Sequence, residues 1–310
     1  MTLPLVLEGR LSLPLIGSPM FIISHPALVI AQCQAGIVGA FPSLNARPSG
    51  TFESWLQQLG TVLTDRDAPF AVNLIVHRTN ARLEEDLALC VQYRVPIVIT
   101  SLGAQEKVND AIHSYGGIVL HDVINNAFAR KAIEKGADGL IAVAAGAGGH
   151  AGTLSPFALV QEIRAWFDGP LALSGSIATG RSIAAARMMG ADLGYMGSPF
   201  IATTEANAEP AYKQMIVDSG ASDIVYSDVF TGVLGNYLRP SIVASGMDPD
   251  HLPKAADMDF AGAMSGDKKA WRDVWGCGQG IGAIDKIQPA AAFIAQLKAQ
   301  YQAAIAGFTS

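Results

Sequence analysis

Mostly apolar runs of two to six residues punctuate the first 200 positions. Four come early: Leu15-Ile16, Gly36–Phe41, Phe70–Ile75 and Pro96–Thr100. Four more follow: Gly117–His121, Gly139–Ala144, Pro170–Ser174 and Ala191–Tyr195. Short runs of this kind predict strands buried on both faces. The segments between them carry helical periodicity. Within Ala81–Val91, the residues Leu83, Leu87 and Val91 fall on one face, with polar residues opposite. Ser182–Met189 repeats the arrangement and stops at Gly190. Strand and helix alternate about eight times, which predicts an α/β chain closed into a TIM (β/α)8 barrel.

The alternation ends near Thr204. Residues 206–275 hold helical pieces and turns, including Met247–Pro253, and read as a small, mostly helical inserted subdomain. Residues 285–306 read as a terminal amphipathic helix, with Ile294, Leu297, Tyr301 and Ile305 at helical spacing. The predicted division is a barrel of 1–205 plus 276–310 and a lid of 206–275.

Composition narrows the functional classes. Half of the 310 residues are hydrophobic and 15% are charged, against about 25% in a typical globular protein. A large two-faced core fits that balance. The net charge is −6 and no Lys/Arg cluster stands out, so a nucleic-acid footprint is missing. Three scattered cysteines, Cys33, Cys90 and Cys277, argue for a reducing compartment rather than a disulfide framework. No secretory signal or membrane span is evident, so the cytoplasm is expected. The histidines and cysteines lack metal-ligand spacing, so no metal is expected. Whether the chain forms a homo-oligomer is left open.

Active sites in barrels gather at the carboxyl ends of the strands. The strand-closing residues are Gly17-Ser-Pro-Met20, Phe41-Pro42, Asn73, Thr100-Ser101, His121-Asp122, Gly146–Gly152, Ser174-Gly-Ser176 and Met196-Gly-Ser198. The stretch Gly146–Gly152 sets His150 among glycines 146, 148, 149 and 152. Glycine lets a backbone approach a ligand closely, and an imidazole there can exchange protons near neutral pH. The bland alternative is a turn histidine satisfied by its neighbours. Ser174–Ser182 followed by Met196–Phe200 suits a phosphate cradle of glycine amides, where barrels often hold phosphate; an ordinary tight turn would look similar. Asn73 interrupts an apolar strand as either a core amide or a ligand reader. Gly146–Ala151 also satisfies a dinucleotide fingerprint, but Gly152 and Pro156 would break the helix that motif requires. His25, His77, His113 and His251 read as capping or exposed side chains. Cys277 has no histidine fixed beside it and is not supported as a nucleophile. No P-loop, kinase signature, nucleophile elbow or carboxylate pair for glycoside hydrolysis is present.

The chain resembles the nitronate monooxygenases, formerly 2-nitropropane dioxygenases, which are FMN-dependent barrel enzymes. The likeness is carried by Gly17-Ser-Pro-Met20, Phe70-Ala-Val-Asn73, Gly148-Gly-His-Ala-Gly152 and Ser174–Phe200. Phe230-Thr-Gly-Val-Leu-Gly-Asn236 and Trp275-Gly-Cys-Gly-Gln-Gly-Ile-Gly282 add to it. The resemblance implies oxidation of alkyl nitronates, or of nitroalkanes, by O2 to carbonyl compounds and nitrite through one-electron flavin chemistry. It makes His150 the catalytic histidine. Pro19, Met20, Asn73, His121, Gly148 and Gly149 would contact the flavin. Ser174, Gly175, Ser176, Gly197 and Ser198 would hold the FMN phosphate, with Gln279 and Gly280 nearby. His121 falls where many relatives carry a lysine. Gly175-Ser176-Ile177 departs from the common Gly-Gly-Ile, and Gly197-Ser-Pro-Phe200 from Gly-Thr-Arg-Phe, which removes a positive charge. NAD(P)H-dependent flavin reductases of the enoyl-ACP or quinone type share the Gly-Gly-His-x-Gly segment and form the alternative; a flavin-binding protein without turnover is a third reading.

Overall fold

A computed structural model describes residues 3–252 and 274–308. Eight parallel strands form the barrel wall: β1 (Leu15–Gly17), β2 (Gly39–Pro42), β3 (Phe70–Ile75), β4 (Ile97–Ser101), β5 (Ile118–Val123), β6 (Gly139–Val143), β8 (Leu171–Ser174) and β9 (Leu193–Met196). The hydrogen-bonded order runs β1-β9-β8-β6-β5-β4-β3-β2. An isolated parallel bridge between Ile16 and Val38 joins its two ends, with the Gly17 N–H donating to the Val38 carbonyl at 2.7 Å. Helices α1 (Pro26–Gln34), α2 (Thr51–Val62), α3 (Leu83–Gln92), α4 (Glu106–His113), α5 (Asn126–Glu134), α6 (Pro156–Arg164) and α7 (Gly180–Met188) connect the strands. The predicted strands and helices are all present, with ends moved by a few residues.

Alternation along each strand sorts the side chains into two compartments. Ile16, Val38, Ala40, Ala71, Ile97, Ile99, Leu120, Ile141, Ala172 and Leu193 point inward and pack as one cluster. Leu7 from the N-terminal segment joins it and is fully buried. Val72, Leu74, Val98 and Val119 point outward against the helices. Small Ala40, Ala71 and Ala172 alternating with branched residues fill the barrel rather than leave a pore. The terminal helix α11 (Ala290–Phe308) lies on the barrel through Phe293, Ile294 and Leu297.

Past β9 comes the single turn α8 (Ser198–Ile201), then α9 (Pro210–Asp218), whose Tyr212 and Ile216 belong to the barrel's outer core. Strands β10 (Ile224–Ser227) and β11 (Gly235–Leu238) and helix α10 (Arg239–Ala244) then build a separate cluster of Val229, Phe230, Tyr237, Ile242 and Val274. This excursion contains helices, as its sequence suggests, and also β structure that its sequence did not announce. Strand β11 pairs antiparallel with β10 and with β7 (Gly149–His150). Residues 253–273 of the expected subdomain, including Pro253, lie outside the described residues. No helix among the described residues is long and apolar enough to cross a membrane.

Candidate active site

The carboxyl ends of the strands carry an inward-facing polar layer above the apolar barrel core. By the same alternation, Asn73 follows Ala71, Ser101 follows Ile99, Asp122 follows Leu120, Ser174 follows Ala172 and Tyr195 follows Leu193. Three of these residues form a directed hydrogen-bond chain. Asn73 Nδ2 donates to the Ile99 carbonyl at 3.0 Å and to Ser101 Oγ at 2.8 Å. Ser101 Oγ then donates to Asp122 Oδ2 at 2.6 Å. A carbonyl can only accept, so the Asn73 amide is fixed with its oxygen turned the other way. Burial pushes the Asp122 carboxyl up to about 6, and the Ser101 bond works against that rise. Across the barrel, burial and the Asp122 charge raise the Tyr195 phenol, which is hydrogen-bonded to Ser18.

His150 comes from a different element. Its two-residue strand pairs with Gly235 and Asn236 of the excursion. Thr231 Oγ1 lies 2.9 Å from His150 Nε2 and donates to the Val233 carbonyl at 3.1 Å. The two side chains are hydrogen-bonded, and the direction of that bond follows the tautomer of the ring. Burial lowers the His150 pKa from its ordinary 6.5, which keeps the imidazole neutral at pH 7. Asn236 Nδ2 donates to the Ala147 carbonyl at 2.6 Å and pins the loop leading into His150. His150, His121 and Asp122 share a cavity of about 340 Å³ whose walls include Leu102, Phe128, Val143 and Val233. His121 itself has the parity of Val119 and Val123 and turns toward the helices, against Thr100 Oγ1 at 2.6 Å. Burial brings it down to about 4. The inward position beside it belongs to Asp122.

On the opposite side, Ser18, Pro19, Met20, Gly148, Gly149, Ser174, Gly197 and Ser198 line a cavity of about 160 Å³. A narrower recess next to it is walled by Gly148, Ser174, Gly175, Ser176, Gly197, Ser198 and Gly280, with no lysine or arginine. Ser198 Oγ accepts from the Gly278 N–H at 2.7 Å, and the Gln279 N–H donates to the Gly146 carbonyl at 2.9 Å. The first bond ties the 276–282 loop to α8, and the second clamps it against the His150 loop. A Cβ at Gly148 would come within 2.8 Å of the Gly278 nitrogen, so only glycine permits that approach. Gly175 and Ser176 both have positive φ, 133° and 56°. The recess is thus made of main chain and hydroxyls, which suits an anionic oxygen cluster rather than a bulky apolar group. Gln279 is exposed at its edge.

No helix opens at Gly146–Ala151; strand β7 forms there and α6 begins at Pro156, unlike a dinucleotide fold. Cys277 is buried, and burial holds its thiol well above its usual value, unlike a nucleophile. His251 has a partner, Asp248, at 2.7 Å. His113 pairs with Asp138 at 2.8 Å. No cluster of metal-binding residues occurs among the described residues.

The profile of the nitronate monooxygenase family matches residues 8–300. The chain belongs to the nitronate monooxygenase family. A nitronate monooxygenase from Paraburkholderia phytofirmans is 25% identical over 347 aligned positions, spanning 94% of this chain and 93% of that protein. Among solved structures, FabK from Thermotoga maritima superposes with a TM-score of 0.83 at 27% identity, over 98% of this chain and 96% of that one. A nitroalkane oxidase from Streptomyces ansochromogenes gives 0.83 at 23% identity over 98% and 99%, a likeness of fold. As a family member this nitronate monooxygenase homologue is a flavin-dependent oxidoreductase acting on small molecules.

Sequence reasoning named Ser101 and Asp122 only as strand-end suspects, and gave no role to Thr231, Asn236 or Tyr195. Thr231 and Asn236 lie within Phe230–Asn236, a segment whose likeness to the family was visible without any hint of what it touches. Tyr195 ends a strand in the sequence, and period two from Leu193 turns it inward.

Proposed function

We propose that the chain binds FMN and oxidises alkyl nitronates with O2 to carbonyl compounds and nitrite. The observation that carries this reading is the coexistence, on one barrel face, of a main-chain anion recess and a half-buried histidine whose neutral form is favoured. The recess fits the phosphate of a flavin nucleotide: Ser174, Gly175, Ser176, Gly197 and Ser198 would hold it, with Gly280 beside them and Gln279 at the edge. No arginine is needed where amides and hydroxyls converge. Pro19, Met20, Gly148, Gly149 and the fixed Asn73 carbonyl would face the flavin ring, Asn73 as an acceptor. Bound flavin supplies the electron-transfer chemistry.

The protein's own residues manage protons and shape. His150, held by Thr231 at Nε2, brings an imidazole whose neutral form is favoured by burial to the cavity. A neutral imidazole can accept the α-proton of a neutral nitroalkane; a preformed nitronate needs no such step. Leu102, Phe128, Val143 and Val233 exclude water around the carbon skeleton. Residues 206–275 would act as the lid that sets specificity, since β11 and Thr231 hold the histidine from that side.

The test is a visible spectrum of the isolated protein, followed by anaerobic mixing with propyl-2-nitronate, NADH or NADPH. A yellow protein bleached by the nitronate and slow with nicotinamides is expected. Rapid bleaching by NADPH alone would favour the reductase alternative. A colourless protein that gains no colour with FMN would reject both enzymes.

A further inference from the structure

We propose that Asp122 is the proton-holding residue of this site: it takes up one proton when an anion enters the cavity it shares with His150 and presents that proton to the anion. The inference rests on the nitronate reading above and adds the group that receives the negative charge.

A nitronate carries its charge on two oxygens and needs a donor. His150 is poorly placed to be that donor. Its Nε2 is engaged by Thr231, and burial favours the neutral ring. Asn73 has both amide hydrogens committed, to Ile99 and Ser101. Ser101 has spent its one hydrogen on Asp122 Oδ2. The chain of donors therefore ends on Asp122. Oδ2 is occupied as an acceptor, and Oδ1 is the atom on which a proton would sit. The carboxyl is in the cavity wall beside His150, and it faces inward from a strand whose preceding inward residue is Leu120.

The surroundings favour the neutral acid. Burial acts against the charged form, and the Ser101 hydroxyl only partly offsets it. Other titratable groups at the cavity are His150 from β7, His121 on β5 and Lys131 from α5 at its mouth; Tyr195 from β9 feels the Asp122 charge from outside it. Burial brings both histidines down and the tyrosine up. The uncharged form is favoured for all three, so an arriving anion acts chiefly on the charge of Asp122. An added negative charge nearby raises an acid's affinity for protons. The proton comes from bulk water and stays on the carboxyl; no covalent bond is made or broken.

Propionate tests this without turnover, because it mimics the nitronate oxygens and is not oxidised. Its dissociation constant is read from the visible band of the FMN-loaded protein between pH 5.5 and 8.5. In the wild type the constant should rise about tenfold per pH unit above the Asp122 transition, the signature of one linked proton. Asp122→Asn keeps an oxygen to accept from Ser101 and should bind with nearly constant affinity. Ser101→Ala removes the bond that favours the ionised form and should move the bend to higher pH; it carries the test if the Asn variant does not load flavin. His150→Asn should leave the bend in place. A bend that persists in Asp122→Asn, one that vanishes in His150→Asn, or propionate that fails to bind at any pH overturns the proposal. Nitronate oxidation is assayed separately. A protein that oxidises nitronates with a flat propionate profile rejects the role of Asp122 alone; one with the bend and no nitronate turnover rejects the substrate assignment alone.

Discussion

Thr231 and His150 stand 81 residues apart in sequence, and their side chains meet at 2.9 Å. The hydroxyl comes from the excursion and the imidazole from a barrel loop, so the histidine is held from outside the barrel. His150→Asn should load flavin normally and lose about 10²–10⁴ in turnover with neutral nitroalkanes, the range for a missing general base. Thr231→Val should lose about tenfold, one positioning hydrogen bond. Steady-state rates with nitroalkane, beside flavin content by absorbance, check both. Equal rates in all three proteins would remove the pair from the mechanism.

Ser176 sits at φ 56°, a left-handed conformation that costs a residue with a Cβ about 1–2 kcal/mol. Ser176→Gly should therefore raise stability by roughly 1 kcal/mol while loosening FMN, because a hydroxyl leaves the anion recess. Gly148→Ala should do the reverse of a benign change. Its Cβ would press on Gly278, part the two clamped loops and release flavin. Thermal unfolding and FMN titration of the apoprotein separate the two effects. A Ser176→Gly protein no more stable than its parent would show that the turn is unstrained.

Asp122 makes a pH prediction for stability. Its folded-state value of about 6 stands above the ordinary 3.8. A raised acid helps the folded state below the ordinary value and loses that help as pH climbs through the folded value. Asp122→Asn does not titrate. Its stability relative to wild type should grow from pH 4 to about pH 6.5 and then level off, at on the order of 2–3 kcal/mol. Denaturant melts at each pH check this; a constant difference would place Asp122 in a water-like setting.

Gln32 lies under the seam between β1 and β2, buried, with neither amide atom hydrogen-bonded. Gly17 and Gly39 make room for it there. An unsatisfied buried amide costs about 1–3 kcal/mol, and methionine has a similar shape. Gln32→Met should raise the unfolding free energy by about that amount with unchanged flavin content. A destabilised Gln32→Met would mean that the amide has polar partners in solution.

The barrel was legible because its signals are local and repeated. Runs such as Phe70–Ile75 and Gly139–Ala144 are short and apolar, and helices such as Gly180–Met188 stop at glycine. The recess was legible for the same reason: Ser174–Ser176 and Gly197-Ser198 each end a strand, and fold topology makes them neighbours. Two things were hidden. The first was direction. His121 and Asp122 are adjacent, and only the inward parity of Leu120 decides which of them joins the polar layer above the barrel core. The second was pairing over long range. Gly149-His150 is too short to read as a strand, and it becomes one because Gly235-Asn236 lies beside it. Periodicity within a segment carries no information about such a partner.

The antiparallel patch joining Gly149-His150 to Gly235-Asn236 has a consequence for engineering within this family. The His150 loop and the excursion fold against each other as one cassette, with Asn236 holding Ala147 and Thr231 holding His150. Grafting either piece alone from a homologue would leave mismatched halves on an intact scaffold. New substrate preferences should be transplanted by moving residues 144–152 and 224–238 together.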